Sequence, residues 1–286
     1  MRLRYAPALT LALMLGPVLA GLAGTLLPAI GIFPALGGTA PSLAPLMALL
    51  GWPGLGPAVG LSLGTGLAAT ALSLLLTALI VGCWHGTRAF RWLESLLSPL
   101  LSVPHAAAAF GIAFLIAPSG WIARIVSPWA TGWTRPPDLL IVQDPWGLAM
   151  TLGLVTKEMP FLLLMTLAAL PQTMPRRSLT VAQALGYGRL TGWLKVVFPR
   201  VYAQIRLPVY AVLAFSMSVV DVALILGPNT PPPLAVQVVR WMADPDLAQR
   251  FTAAAGATVQ LALVIGALSL RTTGAYFIMV TLAFGQ

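Results

Sequence analysis

The sequence contains very little charge and almost none of the residue types that carry most catalytic chemistry. Of its 286 residues, 8% are Asp, Glu, Lys or Arg, and there are only two histidines and one cysteine. A single cysteine excludes an intramolecular disulfide, and Cys83, His85 and His105 do not have the spacing of a metal site. No Ser-His-Asp or paired-carboxylate arrangement is evident either. We therefore expect no enzyme activity and no cofactor in this chain.

Apolar sequence, by contrast, is abundant. The chain is 58% hydrophobic and its mean hydropathy is +0.90, which is too apolar for a soluble core of this length. A hydrocarbon core about 30 Å thick requires roughly 20 apolar residues per helix. Six segments have about that length: 7–28, 57–82, 97–117, 146–170, 205–227 and 252–271. The sequence therefore predicts an all-α, polytopic transmembrane helical bundle of about six spans.

The net charge of +9 follows this predicted topology and forms no nucleic-acid footprint. On one side, the loops carry Glu94 and ten basic residues: Arg2, Arg4, Arg88, Arg91, Arg176, Arg177, Arg189, Lys195, Arg200 and Arg206. On the other side, four arginines are balanced by four aspartates: Arg124, Arg135, Arg240, Arg250, Asp138, Asp144, Asp244 and Asp246. The positive-inside rule then predicts a cytoplasmic N-terminus and a cytoplasmic loop before the fifth span.

Two features near the predicted membrane surfaces each allow two interpretations. The first segment has the basic start, apolar middle and small residues near Ala20 of a cleavable signal peptide. Because further spans follow, an uncleaved first helix that sets the orientation is the simpler interpretation. The loop 118–145 contains Trp121, Trp129 and Trp133, which favours interfacial anchors, with contact to a periplasmic binding protein as the alternative.

Residues 178–199, SLTVAQALGYGRLTGWLKVVFP, predict a short elbow between the fourth and fifth spans. Ser178 is a favourable N-cap residue, and Gly186 and Gly188 fit the end of a first helix. Residues 190–198 predict a second short helix before Pro199. One face of that helix is apolar and contains Trp193, Leu194 and Val197. We expect this helix–turn–helix elbow to lie across the membrane surface.

The elbow favours either of two roles. As a docking surface, Ala182 and Ala184 would let a partner approach closely, while Leu185, Tyr187 and Leu190 would fill a groove on it. As an interfacial amphipathic helix, the same segment would bind lipid headgroups only.

The segment resembles the EAA loop of binding-protein-dependent ABC importers, whose pattern is Glu-Ala-Ala, three residues, Gly, and an apolar stretch ending in Pro. The matching positions are Ala182, Gly186, Val196, Val197 and Pro199. Thr180 stands where the family has the glutamate and Val181 replaces the first alanine, so Thr180 cannot supply that glutamate's salt bridge. Residues 102–125, 156–172 and 218–247 resemble a permease branch near the thiamine, ferric-iron and polyamine importers.

The resemblance implies a type I ABC importer permease-like fold in the bacterial cytoplasmic (inner) membrane. Its implied partners are a cytoplasmic ABC ATPase dimer, a second permease domain in a homodimer or heterodimer, and a periplasmic solute-binding protein. The residues implied in ATPase coupling are Thr180, Ala182, Leu185, Gly186, Tyr187 and Pro199. Because the chain has no G-x-x-x-x-G-K-[ST] motif, ATP hydrolysis is expected in a separate subunit.

Charged residues inside predicted spans are the remaining candidates, because a charge in hydrocarbon is costly unless it pairs or faces water. Lys157 and Glu158 lie in the fourth span and Asp221 lies in the fifth. Lys157 and Glu158 are adjacent and point about 100° apart on a helix, so they are poor partners for each other. Lys157 and Asp221 are predicted to bridge two spans or line the translocation path. The alternative is a buried structural ion pair. His105 is predicted to bond at a helix end or to line that path.

An alternative function is an ATP-independent, ion-coupled secondary transporter that uses Glu158 and Asp221. Clear inverted repeats would favour it, and none is evident in the sequence.

The last residues, RTTGAYFIMVTLAFGQ, resemble a different class, the branched-chain amino acid permeases. We therefore predict a permease domain over 1–269 and an atypical apolar tail over 270–286, produced by a fusion, frameshift or assembly join near 269–271. An extension of the last helix is the alternative.

Overall fold

The computed structural model describes residues 6–269, and within this range the chain is α-helical with no β-strand. The tail 270–286 and the two N-terminal arginines lie outside the described residues. The α-helices are α1 Ala6–Ala29, α2 Ala44–Leu50, α3 Leu55–Trp84, α4 Arg88–Ser102, α5 His105–Ile116, α6 Trp121–Val126, α7 Leu148–Ala169, α8 Pro175–Ala184, α9 Arg189–Gly192, α10 Phe198–Ser218, α11 Asp221–Leu226, α12 Leu234–Met242 and α13 Gln249–Ser269.

Within residues 6–269, five helical segments are long and apolar enough to cross a membrane: Pro7–Ala29, Leu55–Trp84, His105–Val126, Leu148–Thr173 and Gln249–Ser269. These segments confirm a polytopic all-α bundle. The first, second, fourth and last predicted spans agree with them to within a few residues. The total of six spans stays a prediction.

The predicted third span, 97–117, is interrupted. The helix α4 ends at Ser102 and α5 begins at His105, while Val103 and Pro104 between them are extended, with ψ of 127° and 147°. Proline disfavours helical backbone at the residue before it, which explains the break. The apolar segment therefore begins at His105, and the predicted start at residue 97 is wrong.

The predicted fifth span, 205–227, is also divided. The helix α10 begins at Phe198 and ends at Ser218, and α11 begins at Asp221 after a break in which Val219 is extended. Among the described helices α10 is not one of the five that qualify by length and composition. The Asp221 carboxylate accepts a 2.9 Å hydrogen bond from the Val222 N–H in the first turn of α11, where negative charge is favourable.

The centre of the bundle is α3, which packs against α7 and α10. Small buried residues recur along α3 every three or four positions: Ala58, Ser62, Gly66, Ala69, Thr70, Ser73, Thr77, Ala78 and Gly82. Small side chains allow helices in a membrane to approach closely. A Cβ at Gly66 would lie 2.5 Å from Met217 Cγ of α10, so glycine is needed there. The first helix, α1, contacts α13 and α2 instead and exposes its leucines.

The bundle has two main clusters of buried apolar side chains. One surrounds Phe90, Leu162 and Trp193, at the end formed by the C-termini of α3 and α7 and the N-terminus of α10. We call it the elbow end. The other surrounds Met150 and Leu226 and defines the opposite end, where α7 and α12 begin. Trp121, Trp129 and Trp133 are exposed, and their role as interfacial anchors stays a prediction.

Candidate functional site

The elbow consists of residues 175–199, and its first helix starts earlier than the sequence predicts. The helix α8 begins at Pro175, directly after Met174, whose φ of 45° is left-handed. Proline suits the first helical position because the missing N–H would have no partner inside the helix. Ser178 therefore lies within α8, and its Oγ accepts a 3.0 Å hydrogen bond from Arg200 Nη1. The prediction that Ser178 is the N-cap is wrong.

Gly186 ends α8, as predicted. Its φ of +87° is left-handed, a conformation that glycine adopts without steric cost. The Tyr187 N–H donates to the Ala182 carbonyl at 3.1 Å and the Gly186 N–H donates to the Gln183 carbonyl at 3.0 Å. This pair of bonds is the Schellman motif. The motif fixes the direction in which the chain leaves the helix.

The tip of the elbow exposes apolar side chains. Leu185 is 74% exposed and Tyr187 is 41% exposed, and Thr180 is also exposed. Ala182, however, is only 2% exposed. A Cβ at Gly192 would lie 3.1 Å from Ala182 Cβ. The small size of Ala182 therefore lets the first limb of the elbow, α8, pack closely against the second limb, which begins with α9. The prediction that Ala182 forms part of the partner surface is wrong, because its side chain packs inside the elbow.

The second limb runs from α9 through one π-helical turn, Trp193–Val197, into α10. The wide turn is closed by a bond from the Phe198 N–H to the Trp193 carbonyl. It directly precedes Pro199, which has no N–H to donate to a regular helix. Trp193 and Val197 are buried and Leu194 packs partly against them, which confirms the predicted apolar face.

This limb is bonded to the C-terminal end of α3. Arg189 donates to the carbonyls of Gly82 at 3.2 Å and His85 at 2.6 Å, and these are carbonyls that the end of a helix leaves without internal partners. The Trp193 Nε1 donates to the Ala78 carbonyl at 2.8 Å. A Cβ at Gly82 would lie 2.4 Å from Trp193 Cδ1, so the indole ring occupies a notch that only glycine provides.

Sequence reasoning does not find this anchor. In the sequence, Arg189 is one positive charge of a cytoplasmic loop and nothing distinguishes Gly82 from other glycines of the spans. The available signal is a small residue within the last turn of a long helix. Such a residue permits close packing but does not identify the partner.

The two adjacent charged residues of α7 form hydrogen bonds to three other helices. Lys157 and Glu158 are buried. The Lys157 ammonium donates to the carbonyls of Leu100 and Val103, both at 2.6 Å, and so caps the C-terminal end of α4. The Glu158 carboxylate accepts from Ser73 of α3 at 3.4 Å and from Ser216 of α10. As predicted, no bond joins the two residues in the described part of the chain. Both of them, and not one alone, have partners on other helices.

The predicted bridge between Lys157 and Asp221 is not formed in the described part of the chain. Asp221 is exposed at the start of α11 and bonds to the backbone beside it, whereas Lys157 bonds to α4. The ion-pair prediction is therefore wrong. His105 is the first residue of α5, and its ring lies 4.7 Å from the ring of Phe215 on α10, measured between centroids. A ring contact tests neither the helix-end bond nor the path-lining role, so both stay predictions.

Together these features define a polytopic all-α membrane protein with an anchored elbow that exposes an apolar tip. In sequence the chain is similar to the inner membrane ABC transporter permease protein YnjC of Escherichia coli (strain K12), with 34% identity over 205 residues. The match covers 71% of this chain and 37% of the relative, so the chain spans little more than a third of that protein. No family model matches the chain. The similarity supports an ABC transporter permease and a multi-pass location in the inner membrane.

Proposed function

We propose that this chain is a permease subunit of an ATP-driven ABC importer and that its 178–199 loop docks a cytoplasmic ATPase. The observation that carries the proposal is the exposed tip formed by Leu185 and Tyr187 on the Schellman turn at Gly186. A fixed turn presents these side chains at a low entropic cost of binding. The similarity to an ABC transporter permease supports the same assignment.

The anchor on α3 provides a route for coupling. A force on the elbow tip reaches Arg189 and Trp193, which are bonded to the last turns of α3. From α3 it reaches α7 and α10 through the serines bonded to Glu158. An ATPase that binds two arrangements of these helices with different affinity would shift the balance between them. In this account α3, α7 and α10 move as one unit with the elbow.

The resemblance to ABC importers also implies two further partners. A second permease domain would complete the translocation path, and a periplasmic solute-binding protein would deliver the solute. Lys157 and Glu158 would serve as positioning residues, because their polar atoms bond to neighbouring helices.

Co-purification tests the docking role. The chain would be co-expressed with the ABC ATPase encoded nearest to its gene and isolated in mild detergent. A double variant, Gly186→Asp with Tyr187→Ala, should retain about tenfold less ATPase than the native chain. The matched control is Gly132→Asp. Both glycines have positive φ, +87° and +71°, and a Cβ added at either would have no neighbouring atom within 4 Å.

Comparison of the double variant with the control distinguishes a loss of docking from a general loss of folding. Equal ATPase retention by the double variant and the control would contradict the proposal. Failure of the native chain to retain any ATPase would contradict it as well and would favour the ion-coupled transporter.

A further inference from the structure

An open cavity of about 610 Å³, lined by both polar and apolar side chains, lies at the elbow end, between α8 and the first turns of α10. Its polar lining comes from both sides: Gln172, Thr173, Arg177, Ser178, Arg200 and Gln204. None of the seven acidic residues of the chain is among the lining residues. Among the described residues, the lining therefore contributes two guanidinium groups, two hydroxyls and two amides, and no carboxylate that would neutralise them.

The chemistry of this lining suits a phosphate group. Guanidinium groups present several N–H donors in a planar fork that matches phosphate oxygens. Arg200 donates to Ser178 Oγ at 3.0 Å, and this bond uses one of its five N–H donors. It also places the Arg200 guanidinium beside α8, the helix that carries Arg177.

The position of the cavity matches the depth of lipid headgroups. Gln172 and Thr173 are at the end of the apolar segment Leu148–Thr173, so a helix that spans the hydrocarbon would place them at the interface. Basic pockets between membrane helices commonly hold anionic headgroups. Met174 and Val181, which also line the cavity, are exposed and offer apolar contact to the glycerol and upper acyl region of a lipid.

We propose that this cavity binds a phosphate ester, supplied by the headgroup of an anionic phospholipid. Arg177 and Arg200 hold the phosphate oxygens, and the hydroxyl and amide groups bond to the rest of the headgroup. Leu185 and Tyr187 are not among the lining residues. Substitutions of the two arginines therefore leave the exposed side chains of the elbow tip unchanged.

Native mass spectrometry of the purified chain in neutral detergent tests the proposal. The probes are phosphatidylglycerol, phosphatidylcholine, inorganic phosphate and glycerol phosphate. The double variant Arg177→Gln with Arg200→Gln should bind phosphatidylglycerol about tenfold more weakly than the native chain. The matched control is Arg91→Gln with Arg206→Gln, two exposed arginines of the same end that do not line the cavity.

A further variant tests whether misfolding, and not the loss of the two arginines, explains weaker lipid binding. Val181→Glu keeps both arginines and places a carboxylate at an exposed lining position, so it should also weaken phosphatidylglycerol binding. Adding salt should reduce binding to the native chain because the contact is electrostatic.

Each result with the four probes either supports or contradicts the proposed phosphate site. Retention of phosphatidylglycerol in preference to phosphatidylcholine, lost in both cavity variants, supports a lipid source. Saturation by inorganic phosphate or glycerol phosphate, with no preference among lipids, supports the phosphate chemistry and assigns a soluble source. Equal phosphatidylglycerol binding by the cavity variant and the control would overturn the proposal, as would binding of none of the probes.

Discussion

The two ends of the bundle use their polar groups in different ways. At the end opposite the elbow, where α7 and α12 begin, polar groups bond mainly within the chain. The Asp144 carboxylate accepts from the amides of Trp146, Leu148 and Ala149 at 3.1, 2.9 and 2.8 Å. Arg240 donates to the Asn229 carbonyl at 2.9 Å. At the elbow end, Arg189 and Trp193 also bond within the chain. Two other arginines there line a cavity to which the described residues contribute no acid, and the elbow tip exposes Leu185 and Tyr187.

This difference separates structural from recognition roles. A carboxylate that accepts hydrogen bonds from three backbone amides stabilises the start of α7. It has little capacity left to accept hydrogen bonds from a partner protein. An exposed leucine and tyrosine on a fixed turn stabilise the fold very little, yet they suit a groove on another protein. Substitutions of the buried anchors should therefore change stability, whereas substitutions of the exposed elbow tip should change binding.

The largest expected loss of stability comes from Trp193→Ala, which would detach the elbow from α3. Removing a buried tryptophan costs about 3–5 kcal/mol, and the 2.8 Å bond to Ala78 is lost as well. The measurement is the midpoint of thermal unfolding in detergent. The control is Trp146→Ala at the opposite end, where the side chain is 78% exposed. An equal shift for both variants would show that Trp193 does not anchor the elbow.

A smaller loss is expected for Lys157→Met, which leaves the end of α4 without its cap. Carbonyls that lose a partner in a buried position cost about 1–3 kcal/mol. Hydrogen exchange of the amides around the break between α4 and α5 should become faster, together with a lower unfolding midpoint. Arg206→Met, at an exposed position, should leave both unchanged. Unchanged exchange in Lys157→Met would refute the capping role.

A loss of about 1 kcal/mol is expected for Asp144→Ala, because the first amides of α7 lose their acceptor. Asp138→Ala, at an exposed position nearby, is the control. The unfolding midpoint should fall for Asp144→Ala alone, and ATPase retention should stay at the native level for both. Loss of ATPase from either variant would contradict a purely structural role for Asp144.

The smallest effect on stability is expected for Leu185→Glu, within about 0.5 kcal/mol, as is usual for an exposed position. Its effect on ATPase retention should nevertheless be large, because a carboxylate would enter the proposed apolar contact. Leu247→Glu at the opposite end, where the leucine is also exposed, should affect neither quantity. A native level of ATPase with Leu185→Glu would argue against docking through the tip.

The sequence predicts those features that depend on local chemistry. The long apolar segments and the left-handed turn at Gly186 follow from composition and from one glycine. The predicted elbow also has its apolar face in the expected place. The start of α8 differs from the prediction because two signals compete, and Pro175 defines the first helical turn ahead of the capping tendency of Ser178.

The features that sequence could not predict depend on which segments meet. Lys157 is expected to pair with an acid, yet its partners are backbone carbonyls of α4, and a carbonyl has no signature in a sequence. The bonds from Arg189 to α3 have the same character. The role of Ala182 differs from the prediction because small size indicates close packing but does not tell whether the neighbour is another protein or the same elbow.

Photo-crosslinking from the elbow tip tests the central claim most directly. A benzophenone amino acid would replace Leu185 in one variant and Leu247 in another, each co-expressed with the ATPase and irradiated in native membranes. The account predicts a covalent product with the ATPase from position 185 and none from position 247. A product from neither position, or from position 247 alone, would contradict docking through the elbow.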